Sequence, residues 1–310
     1  MDRQITPNEL WHIWLAYVEY KTPYVAPSTV VRDYAKFEKR ILKMMKERSD
    51  INDAREMRTW LLDNFALETT RRTIQQFNAA CKFAVTMGDL PSNPFDGLTR
   101  YWGKRRQVAE DNYTAFTPDE RVAIISAFER DHPFYAPWVK FLFLTGCRPE
   151  EASALKWGDV ASDFSEILIN KALPVDTRIE QPTKTYRSTR FPCNSQLKEL
   201  LRELWRQESG SEFFDRDYLT DRWLLSSVKG GPFDYKNFQS RYWKPTVEKL
   251  VSDRKVAFYF SEYHARHTFI TELVKRGLDE QDISYLCRTS VAMIQRCYAS
   301  QSRQVSVPEF

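Results

Sequence analysis

The sequence predicts a mainly α fold with a small antiparallel β-sheet, divided into two domains. Three observations carry that expectation. Apolar residues recur at helical spacing through most of the chain, one stretch near the middle alternates with strand period, and a run of turn and basic residues separates a helical first third from the remainder. With 310 residues the chain is long enough for two cores.

In the first third, Trp11, Trp14, Leu15 and Val18 fall at i, i+3, i+4 and i+7, and Tyr34, Phe37, Ile41 and Met44 repeat the stripe, with Pro23 and Pro27 marking the turn between them. Two more helices are expected over Asp53 to Asn64 and Thr69 to Met87, the latter stopped by Gly88 with Pro91 and Pro94 beyond. Residues 1–95 therefore form one helical domain, 96–114 a linker, 115–298 a second domain and 299–310 a tail. The second domain opens on Thr117-Pro118-Asp119-Glu120, which supplies an N-cap, a proline at the first helical position and a capping-box glutamate. Helices are expected to about Leu155. Phe164 to Asn170 then has strand character, and Ser188 to Pro192 can pair with it as a short antiparallel ribbon. Leu197, Leu200, Leu201 and Leu204 restore the helical period. From there helices dominate to Tyr298, interrupted at Gly230, Gly231 and Pro232, and Tyr263 to Tyr298 reads as a last long helical run.

Hydrophobic residues are 42% and charged residues 28%, without repeats, as in folded globular chains. No stretch approaches the roughly 18 apolar residues of a membrane span, and MDRQITPNELW has no signal region, so a cytoplasmic location is the default. The five cysteines, Cys81, Cys147, Cys193, Cys287 and Cys297, show no C-x-x-C spacing. Free buried thiols are expected, with no metal and no cofactor. The net charge of +4 is only mildly basic, but basic and aromatic residues cluster at Tyr101 to Gln107, Thr183 to Arg190 and Lys236 to Lys244. Lys104, Arg105, Arg106, Arg187, Lys236 and Arg241 are the candidate DNA contacts in these clusters, where phosphate pairing and stacking are available together. Any one cluster alone reads as a solvated face. Three shift the balance toward nucleic acid.

The most specific signal is Thr145 to Val160, where an apolar helix breaks at Gly146, Arg148 follows, and Glu151 and Trp157 stand at fixed distances beyond. As T-G-x-R-x-x-E-x-x-x-L-x-W-x-D-V, it resembles the first arginine box of the tyrosine recombinases, the phage-integrase family. TKTYRSTRFP, Thr183 to Pro192, resembles that family's hairpin with its lysine, here Lys184. Arg266-His267-Thr268-Phe269 resembles its R-H-T-F, and LCRTSVAMIQRCYA, Leu286 to Ala299, its nucleophile box. The resemblance covers about Thr114 to Ala299, and the first third is similar, on weaker grounds, to the family's core-binding domain.

This resemblance implies a two-domain clamp around double-stranded DNA at specific sites, a homotetramer on DNA, a tail that docks on a neighbouring subunit, and accessory DNA-bending or directionality factors. It also implies a metal-free phosphoryl transfer. Arg148 and Arg266 would hold the phosphate oxygens through forked donors, Tyr298 would attack to give a 3′-phosphotyrosine, and Lys184 would protonate the leaving 5′ oxygen. Two positions depart from the pattern. Tyr263 stands where the family usually has the histidine of H-x-x-R, and a phenol is a poorer base than imidazole near neutrality. His264, one residue later, is the alternative, although adjacent helical residues point about 100° apart. His267 reads as structural. In the nucleophile box Cys287-Arg288 replaces glycine-histidine. Arg288 there is either one more phosphate donor or a contact to flanking DNA or solvent, and another register sets Thr289 at that position. Two other functions remain open: a DNA-binding protein of the same fold that has lost its chemistry, and a type IB topoisomerase-like enzyme.

Overall fold

The computed structural model describes residues 4–98, 115–211, 213–215 and 219–298. The chain divides into two compact units, Met1–Val108 and Ala109–Phe310.

The first unit is built from α1 (Pro7–Lys21), α2 (Ala35–Glu47), α3 (Ala54–Asn64) and α4 (Leu67–Met87). Thr6 and Glu9 close a capping box at the start of α1, satisfying amides that have no partner inside the helix. The buried face of α1 is Leu10, Trp14 and Tyr17, whereas Leu15 is 43% exposed, so the face is rotated from the stripe read in the sequence. Aromatic packing decides this: Trp14 meets Tyr34, Phe37 and Phe77 edge-on at 5.5, 5.7 and 6.4 Å. A π-helical stretch, Thr29–Tyr34, leads into α2. Gly88 ends α4 in the left-handed conformation that glycine adopts without penalty. Phe95 and Leu98 pack on this core, which carries the unit past residue 95. The expected linker lies outside the described residues from 99 on.

The second unit follows as α5 (Pro118–Asp131), α6 (Ala136–Thr145), α7 (Pro149–Ala152), β1 (Glu166–Ile169), β2 (Lys171–Ala172), β3 (Gln181–Pro182) and β4 (Thr189–Pro192). It continues with α8 (Ser195–Ser209), α9 (Tyr235–Phe238), α10 (Lys244–Ser252), α11 (His264–Lys275), α12 (Glu280–Cys287) and α13 (Val291–Tyr298). The capping box of Thr117 and Glu120 starts α5 as the sequence indicates. Among the described residues the strands form two antiparallel pairs rather than one sheet. Ile167 faces Phe191 in the first, and Lys171 faces Pro182 in the second. Trp243 stacks on Phe128 at 5.9 Å and Phe233 on Trp138 at 3.9 Å, within a core that α5, α6, α8 and α10 share. The run from Tyr263 to Tyr298 is three helices, broken at Gly277 (φ 75°) and at Arg288 (φ 50°). Ile270, Ile283, Cys287, Ile294 and Tyr298 form their common core, and each isoleucine buried there contributes roughly 1.5–3 kcal/mol. No described helix is long and apolar enough to cross a membrane.

Candidate active site

Arg148 is placed by two local features. Gly146 turns the chain at the end of α6 with φ 58°, and Pro149 begins α7 immediately after, so Arg148 sits at the N-cap. The backbone N–H of Arg148 donates to Glu151 Oε2 at 3.1 Å, and its Nη1 donates to Glu151 Oε1 at 2.6 Å. Its Nη2 reaches across the fold to the carbonyl of Arg288 at 3.0 Å. On α11, Arg266 donates through Nη1 to the carbonyl of Gly146 at 2.7 Å and through Nη2 to the carbonyl of Cys287. The turn between α12 and α13 therefore offers adjacent carbonyls to both arginines. Each arginine is buried, Arg148 8% and Arg266 3% exposed, and its guanidinium is held by fixed acceptors.

Arg288 corrects its sequence reading as a donor to phosphate, flanking DNA or solvent. Its side chain is fully buried. Nε and Nη2 lie 3.0 Å from Glu151 Oε2, Nη1 donates to the Leu286 carbonyl at 2.7 Å, and Nη2 also approaches Cys147 Sγ at 3.5 Å. The left-handed backbone at Arg288 turns this side chain inward. Burial pushes the Glu151 carboxyl pKa up, but Arg288, Arg148 and Arg266 together outweigh it, and the net shift is down. Thr289, the alternative at this position, is also buried.

The nucleophile candidate lies at the end of α13. Tyr298 is 3% exposed, and its hydroxyl is 2.5 Å from Nδ1 of His267. Burial drives the Tyr298 pKa upward, against the opposing pull of Arg266. His267, read from the sequence as structural, is thus in direct contact with the hydroxyl. Burial, with the charges of His264 and Arg266, lowers its pKa to about 3, so the ring is neutral. No local signal links residues 267 and 298, because the contact arises only from the packing of α11 against α13. Tyr263 is 38% exposed, with its ring 5.3 Å from that of His267. His264 instead stacks on Phe260 at 4.5 Å and faces the Ser261 hydroxyl at 3.4 Å, so the structure does not bring it to Tyr298.

Lys184 lies on the exposed connection between β3 and β4. Side-chain hydrogen bonds fasten this connection. Thr183 Oγ1 donates to the Arg187 carbonyl at 2.8 Å, Thr185 Oγ1 donates to the Arg288 carbonyl at 3.3 Å, and Arg187 Nη1 donates to Ser284 Oγ and the Thr289 carbonyl, each at 3.0 Å. One nitrogen of Arg187, expected at DNA, is thus committed within the chain. Lys236 pairs with Asp176, and Arg241 is exposed. Lys104, Arg105 and Arg106 lie outside the described residues. The structure assembles Arg148, Glu151, Arg266, Arg288, Thr289, Tyr263, His267 and Tyr298 in one cluster, with the lysine hairpin fastened to the same turn.

The phage integrase family matches residues 115–304. A tyrosine recombinase XerC-like protein of Caldanaerobacter subterraneus subsp. tengcongensis is 28% identical over 237 residues, 69% of this chain and 58% of that protein. The ICEBs1 integrase of Bacillus subtilis is 25% identical over 201 residues, 61% of this chain and 50% of that protein. The chain thus spans about half the length of these curated relatives. In fold it is similar to the Tn1549 transposon integrase in complex with a circular intermediate DNA, with TM-score 0.74 at 16% identity over 93% of this chain and 94% of that one. A lambda integrase tetramer bound to a Holliday junction gives TM-score 0.62 at 14% identity over 99% of this chain and 81% of that one. With most of the second unit matched and the boxes gathered into one cluster, the chain belongs to the phage integrase family of tyrosine recombinases.

Proposed function

We propose that this protein is a site-specific DNA recombinase that cleaves and rejoins duplex DNA through a covalent 3′-phosphotyrosyl bond to Tyr298. The observation that carries the reading is the burial of Tyr298 in the same cluster as Arg148 and Arg266, whose positions are fixed by backbone carbonyls. Attack on a phosphodiester builds negative charge on the non-bridging oxygens, and two preorganised guanidinium groups stabilise that charge. Storing the bond as a phosphotyrosine allows resealing without an external energy source. Lys184, on the hairpin, protonates the departing 5′ oxygen. Tyr263 takes the position of the family histidine as a hydrogen-bonding group at the phosphate. Arg288 acts from beneath, holding Glu151.

The partners that go with this reading are duplex DNA at specific recombination sites, further copies of the chain assembled as a tetramer on that DNA, and accessory bending or directionality factors. The work is done on the nucleoid, in the cytoplasm. The test is a nicked suicide substrate tiled across the DNA that flanks the gene. The wild type is expected to give an SDS-resistant protein–DNA adduct that vanishes in Tyr298→Phe. Salt-dependent binding with no adduct on any tile would instead support a DNA-binding protein without chemistry. Relaxation of supercoiled DNA lacking any such site would favour the topoisomerase-like reading.

A further inference from the structure

We propose that His267 is the proton acceptor for the nucleophile, taking the hydroxyl proton of Tyr298 as the tyrosine attacks phosphorus. The inference rests on the recombinase reading above. Its starting point is the 2.5 Å contact between Nδ1 of His267 and the hydroxyl of Tyr298, which already has the reach of a proton transfer. For the phenol to donate, Nδ1 must carry the lone pair and Nε2 the proton, a tautomer open only to a neutral ring.

The surroundings favour this assignment over its competitors. Glu151 is locked between Arg148 and Arg288. His264 is turned toward Phe260 and Ser261. Tyr263, at the family's histidine position, is 38% exposed and packs its ring against that of His267 at 5.3 Å. Burial raises the Tyr298 pKa, so the hydroxyl holds its proton until an acceptor takes it. Among the described residues, the charged and titratable groups that meet His267 include His264 and Arg266 on its own helix, Tyr263 just before it, and Tyr298 on α13. Arg266 and His264 oppose an imidazolium while the site is free of DNA. A phosphate held by the arginines adds negative charge nearby, which shifts the balance toward imidazolium as the reaction begins.

The step balances. The Oη–P bond forms as the P–O5′ bond breaks, the Oη proton passes to His267 Nδ1, and the departing O5′ takes a proton from Lys184. No group is oxidised or reduced. On resealing, the 5′ hydroxyl attacks phosphorus and returns its proton to Lys184, the P–O5′ bond forms as the Oη–P bond breaks, and the departing phenolate recovers its proton from His267.

The experiment measures single-turnover adduct formation on the nicked tiles, with an ordinary 5′ oxygen or a 5′-bridging sulfur, for wild type, His267→Ala, His267→Asn and Lys184→Ala. A sulfur leaving group needs no acid, so it restores Lys184→Ala. It should not restore either His267 variant, and both should lose about 10²–10⁴-fold in rate. Asparagine keeps a hydrogen-bond acceptor but is no base. An Asn variant within a few-fold of wild type would therefore show that His267 only positions the hydroxyl, and would overturn the proposal. Rescue of His267→Ala by sulfur would overturn it as well. An independent readout needs no DNA: imidazole ¹⁵N shifts should assign the lone pair of His267 to Nδ1, with a change at that nitrogen in Tyr298→Phe, and a lone pair on Nε2 would contradict the assignment. A wild type that makes no adduct on any tile removes the recombinase reading itself, whereas an active wild type with active His267 variants removes only this inference.

Discussion

Arg288 places Nε and Nη2 each 3.0 Å from one carboxylate oxygen of Glu151, with no part of its side chain in contact with solvent. Arg148 takes the other oxygen at 2.6 Å. One buried carboxylate thus offsets two guanidinium charges, so removing it should be far more costly than removing either partner. Glu151→Gln is expected to destabilise the second unit by about 3–5 kcal/mol, read as a lowered calorimetric transition of the full chain. Arg288→Met leaves Glu151 paired with Arg148 and should cost less. A Glu151→Gln protein as stable as wild type would show that the triad has no structural weight.

Gly146 couples backbone geometry to the second arginine. Its φ of 58° disfavours any side chain, and a Cβ there would lie 2.5 Å from Cδ1 and 3.1 Å from Cβ of Phe269. Gly146→Ala must therefore displace the base of a side chain on α11, three residues from Arg266, whose anchor is the Gly146 carbonyl. The expected loss is about 1–3 kcal/mol of stability together with slower adduct formation. Unchanged unfolding and cleavage would show that α11 can yield at no cost.

Glu262 predicts a pH dependence. It is 4% exposed, accepts from Trp138 Nε1 at 3.1 Å, and burial raises its pKa to about 8. A folded-state pKa above the unfolded value means that the native protein holds a proton the unfolded chain releases. Its contribution is full below about pH 4.5 and is lost as pH rises to about 8, a few kcal/mol in all. Glu262→Gln should flatten stability across that window. Parallel pH profiles for wild type and variant would refute the assignment.

Replacing Arg148 with lysine keeps the charge but not the fork. A lysine has no rigid pair of nitrogens to hold Glu151 and the Arg288 carbonyl while facing a phosphate. R148K is expected to retain DNA binding within about tenfold and to lose 10²–10³-fold in adduct rate. Equal losses in binding and cleavage would point to a role in binding alone.

Local chemistry was the most legible part of the sequence. Thr117 and Glu120 form the capping box their spacing announces, and Gly88 ends its helix where no other residue sits as comfortably. The grouping of Arg148, Arg266 and Tyr298 was legible from the resemblance of their boxes. Helical period did not fix which face of α1 turns inward, because several apolar stripes overlap there and Trp14 settles the choice through partners on α2 and α4. The inward turn of Arg288 was illegible for a different reason: its partner lies 137 residues away, and a charged residue at a helix end ordinarily faces water. The contact of His267 with Tyr298 likewise required two helices to meet.

The carbonyl oxygen of Arg288 accepts from Arg148 at 3.0 Å and from Thr185 at 3.3 Å. A single atom, with two lone pairs, thereby fastens both the hairpin that bears Lys184 and the arginine of the first box. Any shift of this one atom would therefore move the anchor of the arginine and the anchor of the hairpin together. On the recombinase reading, the group that holds the phosphate and the lysine that protonates the leaving oxygen are aligned against one shared reference point.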